Sequence, residues 1–118
     1  MRWIYHLLPQ TCWAQQGPGP YRADSLAREG FIHCSYHDQV ARVANTFYGS
    51  QADLLVLCLD VERLRSPVRE EDGGTGELFP HVHGPIDQEA VVAIRRLHRG
   101  PDQRWVFGTP ATEALESP

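Results

Sequence analysis

The chain has 118 residues, 42% hydrophobic and 22% charged, with a formal net charge of −4. That length builds one domain with a real core and excludes two, and the proportions are ordinary for a globular protein. The acidic balance excludes a broad nucleic-acid surface, and no apolar run reaches membrane-spanning length, so a soluble protein with no membrane partner is expected.

All eleven basic residues are Arg. A Schiff-base lysine is therefore excluded, and guanidinium groups are the only fixed cations for holding phosphate or carboxylate. Cys12, Cys34 and Cys58 are an odd set without CxxC spacing, which argues against a disulfide framework and a cysteine zinc site. The opening residues alternate in polarity like a strand rather than forming the apolar core of a signal peptide, which points to the cytoplasm.

In chain order, Trp3 to Leu8 predicts a first strand, ended by Pro9, with Thr11 placed to cap a short helix through about Gln16. After Gly17-Pro18-Gly19-Pro20, Asp24 or Ser25 caps a helix of one to two turns that stops at Gly30. Phe31 and Ile32 then start a short buried strand that delivers His33 and Ser35 to its carboxyl end. From Tyr36 to Tyr48, Val40, Val43, Ala44 and Phe47 form the stripe of an amphipathic helix. Asp53 to Leu59 is a near-continuous apolar run and predicts a central strand covered on both faces, with Asp60 capping the turn that follows. Val68 to Glu71 predicts a short strand, Asp72 to Gly76 a flexible loop, and Val91 to Leu97 a last core strand. These elements make one domain over residues 1–99, with 100–118 a loosely structured extension whose Trp105, Val106 and Phe107 are able to dock.

Proton-handling side chains gather in three stretches, around His6, from His33 to Gln39, and from Phe79 to His83. Histidine's near-neutral pKa suits a hydrogen-bonding or proton-transfer site. A metal reading rests on His81-x-His83, whose rings share one face of a strand, but no third ligand follows at a recognisable spacing, so no metal is expected. His33-Cys34-Ser35 matches one half of the paired H-x-S/T pattern of two-histidine cyclic phosphodiesterases, and His33 with Ser35 carries that alternative. Cys34 alternates away from His33, which favours a buried structural thiol over a nucleophile.

Ile4-Tyr5-His6-Leu7, Ser25-Leu26 and Glu29-Gly30-Phe31-Ile32-His33-Cys34-Ser35, then Gln39, Ala44-Asn45 with Phe47-Tyr48, Asp53-Leu54 and Phe79-Pro80-His81 with His83-Gly84-Pro85-Ile86, together resemble the bacterial domain of unknown function family 952. The resemblance spans about Ile4 to Leu97. It implies the ADP-ribosyltransferase-like fold, a small α+β domain with split sheets and short helices around an NAD cleft, and a small nucleotide-like partner, NAD, as substrate. By the same resemblance His6 on the first strand and Ser35 hold the ribose and amide, with His33 beside them. Tyr36 or Phe79 stacks, and Arg22 or Arg28 meets the pyrophosphate. Gln39, His81 and His83 line the cleft. The carboxylate that orients the reacting ribose comes from Glu71, Glu70, Glu77 or Glu89, with Glu71 preferred. A domain of this fold that binds a ligand without catalysis is the other alternative. The sequence names neither the acceptor nor the oligomeric state.

Overall fold

The computed structural model describes residues 2–108. It is a small α+β arrangement of antiparallel sheets with a few short helices. Strand β1 (Trp3–Pro9) buries Ile4 to Leu8 without a break, and its helical neighbour α1 (Gln10–Ala14) follows directly. Pro9 occupies the N-cap of α1 without a side-chain cap bond, so Thr11 begins the helix from within rather than capping it. Helix α2 (Asp24–Glu29) ends on Gly30, whose φ of 88° is the left-handed conformation that glycine adopts without steric cost. Ser25 lies inside α2, where its hydroxyl donates to the Phe31 carbonyl (2.8 Å).

Next come β2 (Ile32–His33), a 3-10 turn over His37–Gln39, and α3 (Val40–Phe47). The expected helix from Tyr36 is thus tighter in its first turn, and the Tyr36 N–H donates to Gln39 Oε1 at 2.9 Å. Val40 and Ala44 are buried, but Phe47, expected on the same stripe, is 74% exposed. Strand β3 (Leu54–Asp60) has all seven residues buried. It lies between β1 and β6 (Val91–Arg96), antiparallel to both. Its central place explains the unbroken apolar run. Leu55, Leu57 and Leu59 face one core with Ile4, Ile32, Val82 and Ile86, while Leu54, Val56 and Cys58 face another with Val40, Ala44 and Trp105. β6 is an edge strand, and Ile94 on it is 42% exposed.

The second sheet has the order β2-β5-β4, from β4 (Val68–Asp72) and β5 (Leu78–Val82). Its register sets Ile32 against Val82 and His33 against His81. By alternation, Ile32 and Val82 face the core, and His33 and His81 share the other face. The two sheets are joined where Tyr5 and Ser35 exchange backbone bonds of 2.9 and 2.7 Å. Outside the strands, Tyr21 and Ile86 also exchange backbone bonds (2.8 and 2.9 Å). β7 (His98–Arg99) pairs with β8 (Trp105–Val106), and Trp105 is buried with its indole N–H on the Tyr48 carbonyl (2.9 Å), while residues 101–104 between the strands are exposed. The remainder of the predicted extension lies outside the described residues. Among the described residues no helix is long and apolar enough to cross a membrane.

Candidate functional site

A cleft of about 810 Å³ opens between β1, α1, α2, α3 and the β4–β5 hairpin. His6, Tyr21, His33, Ser35, Phe79 and His81 line it, and Arg22 and Arg28 stand at its α2 side. Among the described residues neither arginine makes an ion pair, so both guanidinium groups are uncommitted.

His6 is buried and both its ring nitrogens are engaged, Nδ1 with the His33 carbonyl at 2.7 Å and Nε2 with the Tyr21 hydroxyl at 3.2 Å. A carbonyl only accepts, so Nδ1 carries the hydrogen, and Nε2 of the neutral ring accepts from Tyr21. Burial enforces that neutral form: it lowers the pKa of His6 from 6.5 to about 4. In this arrangement His6 locks β1 to β2 and aims Tyr21, and neither nitrogen is open to a ligand. Tyr21, which no sequence signal singled out, is likewise held protonated, its pKa pushed up chiefly by burial. Burial also raises the pKa of Cys34, which keeps it a thiol and leaves it packed in the core. Ser35 is pinned by its backbone to Tyr5.

Beside them lies a cluster of rings. His33 is exposed and meets Glu29 through Nε2 (3.1 and 3.2 Å). Its ring sits edge-on to His81, with centroids 5.3 Å apart. His81 is buried and stacks on Phe31, centroids 4.1 Å apart and planes 12° off parallel. Glu71 Oε1 lies 2.8 Å from His81 Nδ1 and 2.8 Å from His83 Nε2. Hydrogen bonds from His83 and His81 hold the Glu71 carboxyl below the usual carboxylate range. The H-x-H spacing therefore delivers two rings to one face, as expected, and what they grip is a carboxylate. Glu29 and Phe31 were missed as site residues in the sequence. The one available signal for Glu29 was its position four residues before His33.

The other candidates stand away from the cleft lining. Gln39 is buried and ties α3 to the β4–β5 hairpin, donating to Glu77 Oε2 and the Leu78 carbonyl, both at 2.9 Å. Tyr36 donates its hydroxyl to Glu70. Glu77 is clamped by Arg42 at 2.8 and 2.6 Å, and Glu89 faces Arg65 at 3.8 Å on the surface. Among the described residues, the glutamate that lines the cleft is Glu29, and Glu71 reaches it only through His81. No three His, Cys, Asp or Glu side chains among the described residues are placed to hold a metal ion together.

The family described as Protein of unknown function (DUF952) matches residues 7–94. The chain belongs to this family. The matched span begins one residue after His6 and takes in both sheets up to Ile94, so the cleft residues from Tyr21 to His81 all lie within the family domain and the β7–β8 hairpin lies beyond it. The crystal structure of protein CC0527 from Caulobacter crescentus is similar, with 28% identity and a TM-score of 0.72 over 89% of this chain and 94% of that one. The solution NMR structure of CC0527 matches at 27% identity and the same TM-score, over 88% of this chain and 91% of that one. No curated protein matches the chain.

Proposed function

We propose that the cleft binds a nucleotide-like ligand, NAD, and that the domain is built for ADP-ribosyl transfer in the cytoplasm. The observation that carries this reading is the convergence of Ser35, His33, His81 and Phe79 on one cleft of about 810 Å³ with Arg22 and Arg28, which make no ion pair among the described residues. That volume falls within the range of small-molecule and cofactor sites, roughly 300–1,000 Å³. Free guanidinium groups suit a pyrophosphate, and the Phe79 ring suits a nicotinamide or adenine face. The absence of a disulfide among the described cysteines fits a reducing compartment. Transfer through an oxocarbenium-like state asks the protein mainly to position ribose, offer negative charge and exclude water. Glu29 and Glu71 supply carboxylates at the cleft and one ring away from it.

Calorimetric titration of NAD tests the reading, with Arg28→Ala as the fold-neutral variant and His6→Ala as the variant that releases Tyr21 and the His33 carbonyl. Saturable heat with wild type and a weaker site in both variants is the expected outcome; no heat at millimolar NAD contradicts it. Binding without nicotinamide release leaves a ligand-binding module of this fold. The neighbouring, edge-on rings of His33 and His81 favour a second reading, acid–base opening of a cyclic phosphodiester. Turnover of such a substrate, lost in His33→Ala, together with no response to NAD, would select it.

A further inference from the structure

We infer that His81 is the proton acceptor of the cleft and that Glu71 is its positioning residue, an inference that rests on the ligand reading above and names the base within that site. The β4–β5 register sets Arg69 against His81 and Glu71 against Phe79, which puts Glu71 diagonal to His81 on the same face. A carboxylate can only accept, so its contacts with His81 Nδ1 and His83 Nε2 require a hydrogen on each nitrogen. Neutral His81 is thereby fixed with its hydrogen on Nδ1 and its lone pair on Nε2. Nε2 meets no hydrogen-bonding group among the described residues and is not a buried orphan, and its residue lines the cleft. The stack on Phe31 fixes the plane of the ring.

In transfer from NAD the balance is simple. An acceptor hydroxyl, from water or an alcohol, gives its proton to His81 Nε2, and its oxygen lone pair forms the new bond to the ribose C1′ carbon. The C1′–N bond breaks with its electron pair going to the pyridinium nitrogen, which leaves neutral nicotinamide. The imidazolium formed is stabilised by the Glu71 carboxylate it already touches. The carboxylate thus acts through an imidazole rather than on the ribose.

Long-range proton–nitrogen NMR of the histidine rings at pH 8 reads the tautomer without any ligand. Wild type is expected to carry the hydrogen of His81 on Nδ1, and Glu71→Ala to shift it toward Nε2, the form usual for a free imidazole; a bare Nδ1 in wild type overturns the inference. A kinetic arm follows nicotinamide release. His81→Asn, which keeps a donor for Glu71 but has no base, is expected to lower kcat about 100-fold with KM for NAD changed less than about 3-fold. An unchanged kcat in His81→Asn overturns the inference while leaving NAD as ligand. Absence of NAD binding sinks the ligand reading alone, and the tautomer then still decides whether Glu71 presents Nε2 of His81 to the cleft.

Discussion

His6 carries a cost that shows with pH. Its pKa is near 4 in the folded protein against 6.5 when solvated, chiefly because burial penalises the charged ring. As pH falls below about 6.5 the unfolded chain takes up a proton that the folded ring refuses until about pH 4. The stability that depends on a neutral His6 is therefore complete above pH 6.5 and is lost progressively down to about pH 4, by roughly 3 kcal/mol in all. Denaturant unfolding between pH 7 and pH 4.5 checks this. His6→Asn, whose amide replaces the Nδ1 donor to the His33 carbonyl, should be less stable at pH 7 yet flatter across the range, and equal slopes would contradict the assignment. The sequence placed His6 correctly on β1, because alternation along Ile4 to Leu8 was legible. That both of its nitrogens are consumed was not, since Tyr21 approaches from a segment with no periodicity and only the tertiary tie between Tyr21 and Ile86 brings it in.

Among the elements, the β4–β5 hairpin sets one wall of the cleft. Its loop is ordered by Asp72, whose carboxylate accepts from the N–H groups of Gly74 (2.7 Å) and Gly76 (2.9 Å), so the glycine-rich stretch expected to be flexible is a hydrogen-bonded turn. A Cβ on Gly73 would lie 2.7 Å from the Phe79 ring, so the loop can close this tightly on a cleft residue only with glycine there. Arg42 and Gln39 latch Glu77 at the base of the loop to α3. Exposed ion pairs contribute little, so Glu77→Gln should cost under about 1 kcal/mol globally while speeding amide exchange at Gly73, Gly74 and Gly76. Gln39→Ala, which strips a buried group from two acceptors, should cost about 1–3 kcal/mol and loosen the same amides. Exchange confined to other segments would show that the latch does not hold the wall. The long strands were readable, β1 from its alternation and β3 from its apolar run, whereas β2, two residues long, owes its place to pairing with β5. Tyr36 and Gln39 looked like ligand contacts because polar side chains near a strand end are ambiguous in sequence; their partners Glu70 and Glu77 lie more than thirty positions away.

At the scale of the whole molecule, two three-stranded sheets are bridged at Tyr5 and Ser35, and His6 and Ser35, each next to that bridge or in it, line the cleft. One core is shared between the two sheets and a second lies on the far face of the β1-β3-β6 sheet, and the cleft is lined by apolar residues such as Leu8, Val43 and Phe79 together with His6, His33, Ser35 and His81. The β7–β8 hairpin covers the other core through Trp105, with Arg99 lying 3.9 Å over its ring. The proposed ligand site is the cleft lined by His33, Ser35, Phe79 and His81. Proton–nitrogen NMR of the labelled protein titrated with NAD tests it most directly. Saturable shifts are expected at His33 to Ser35, at Gly73 and from Phe79 to His81, with β6 and β7 unmoved. Shifts confined to β6 and the β7–β8 hairpin, or none at millimolar NAD, would contradict it.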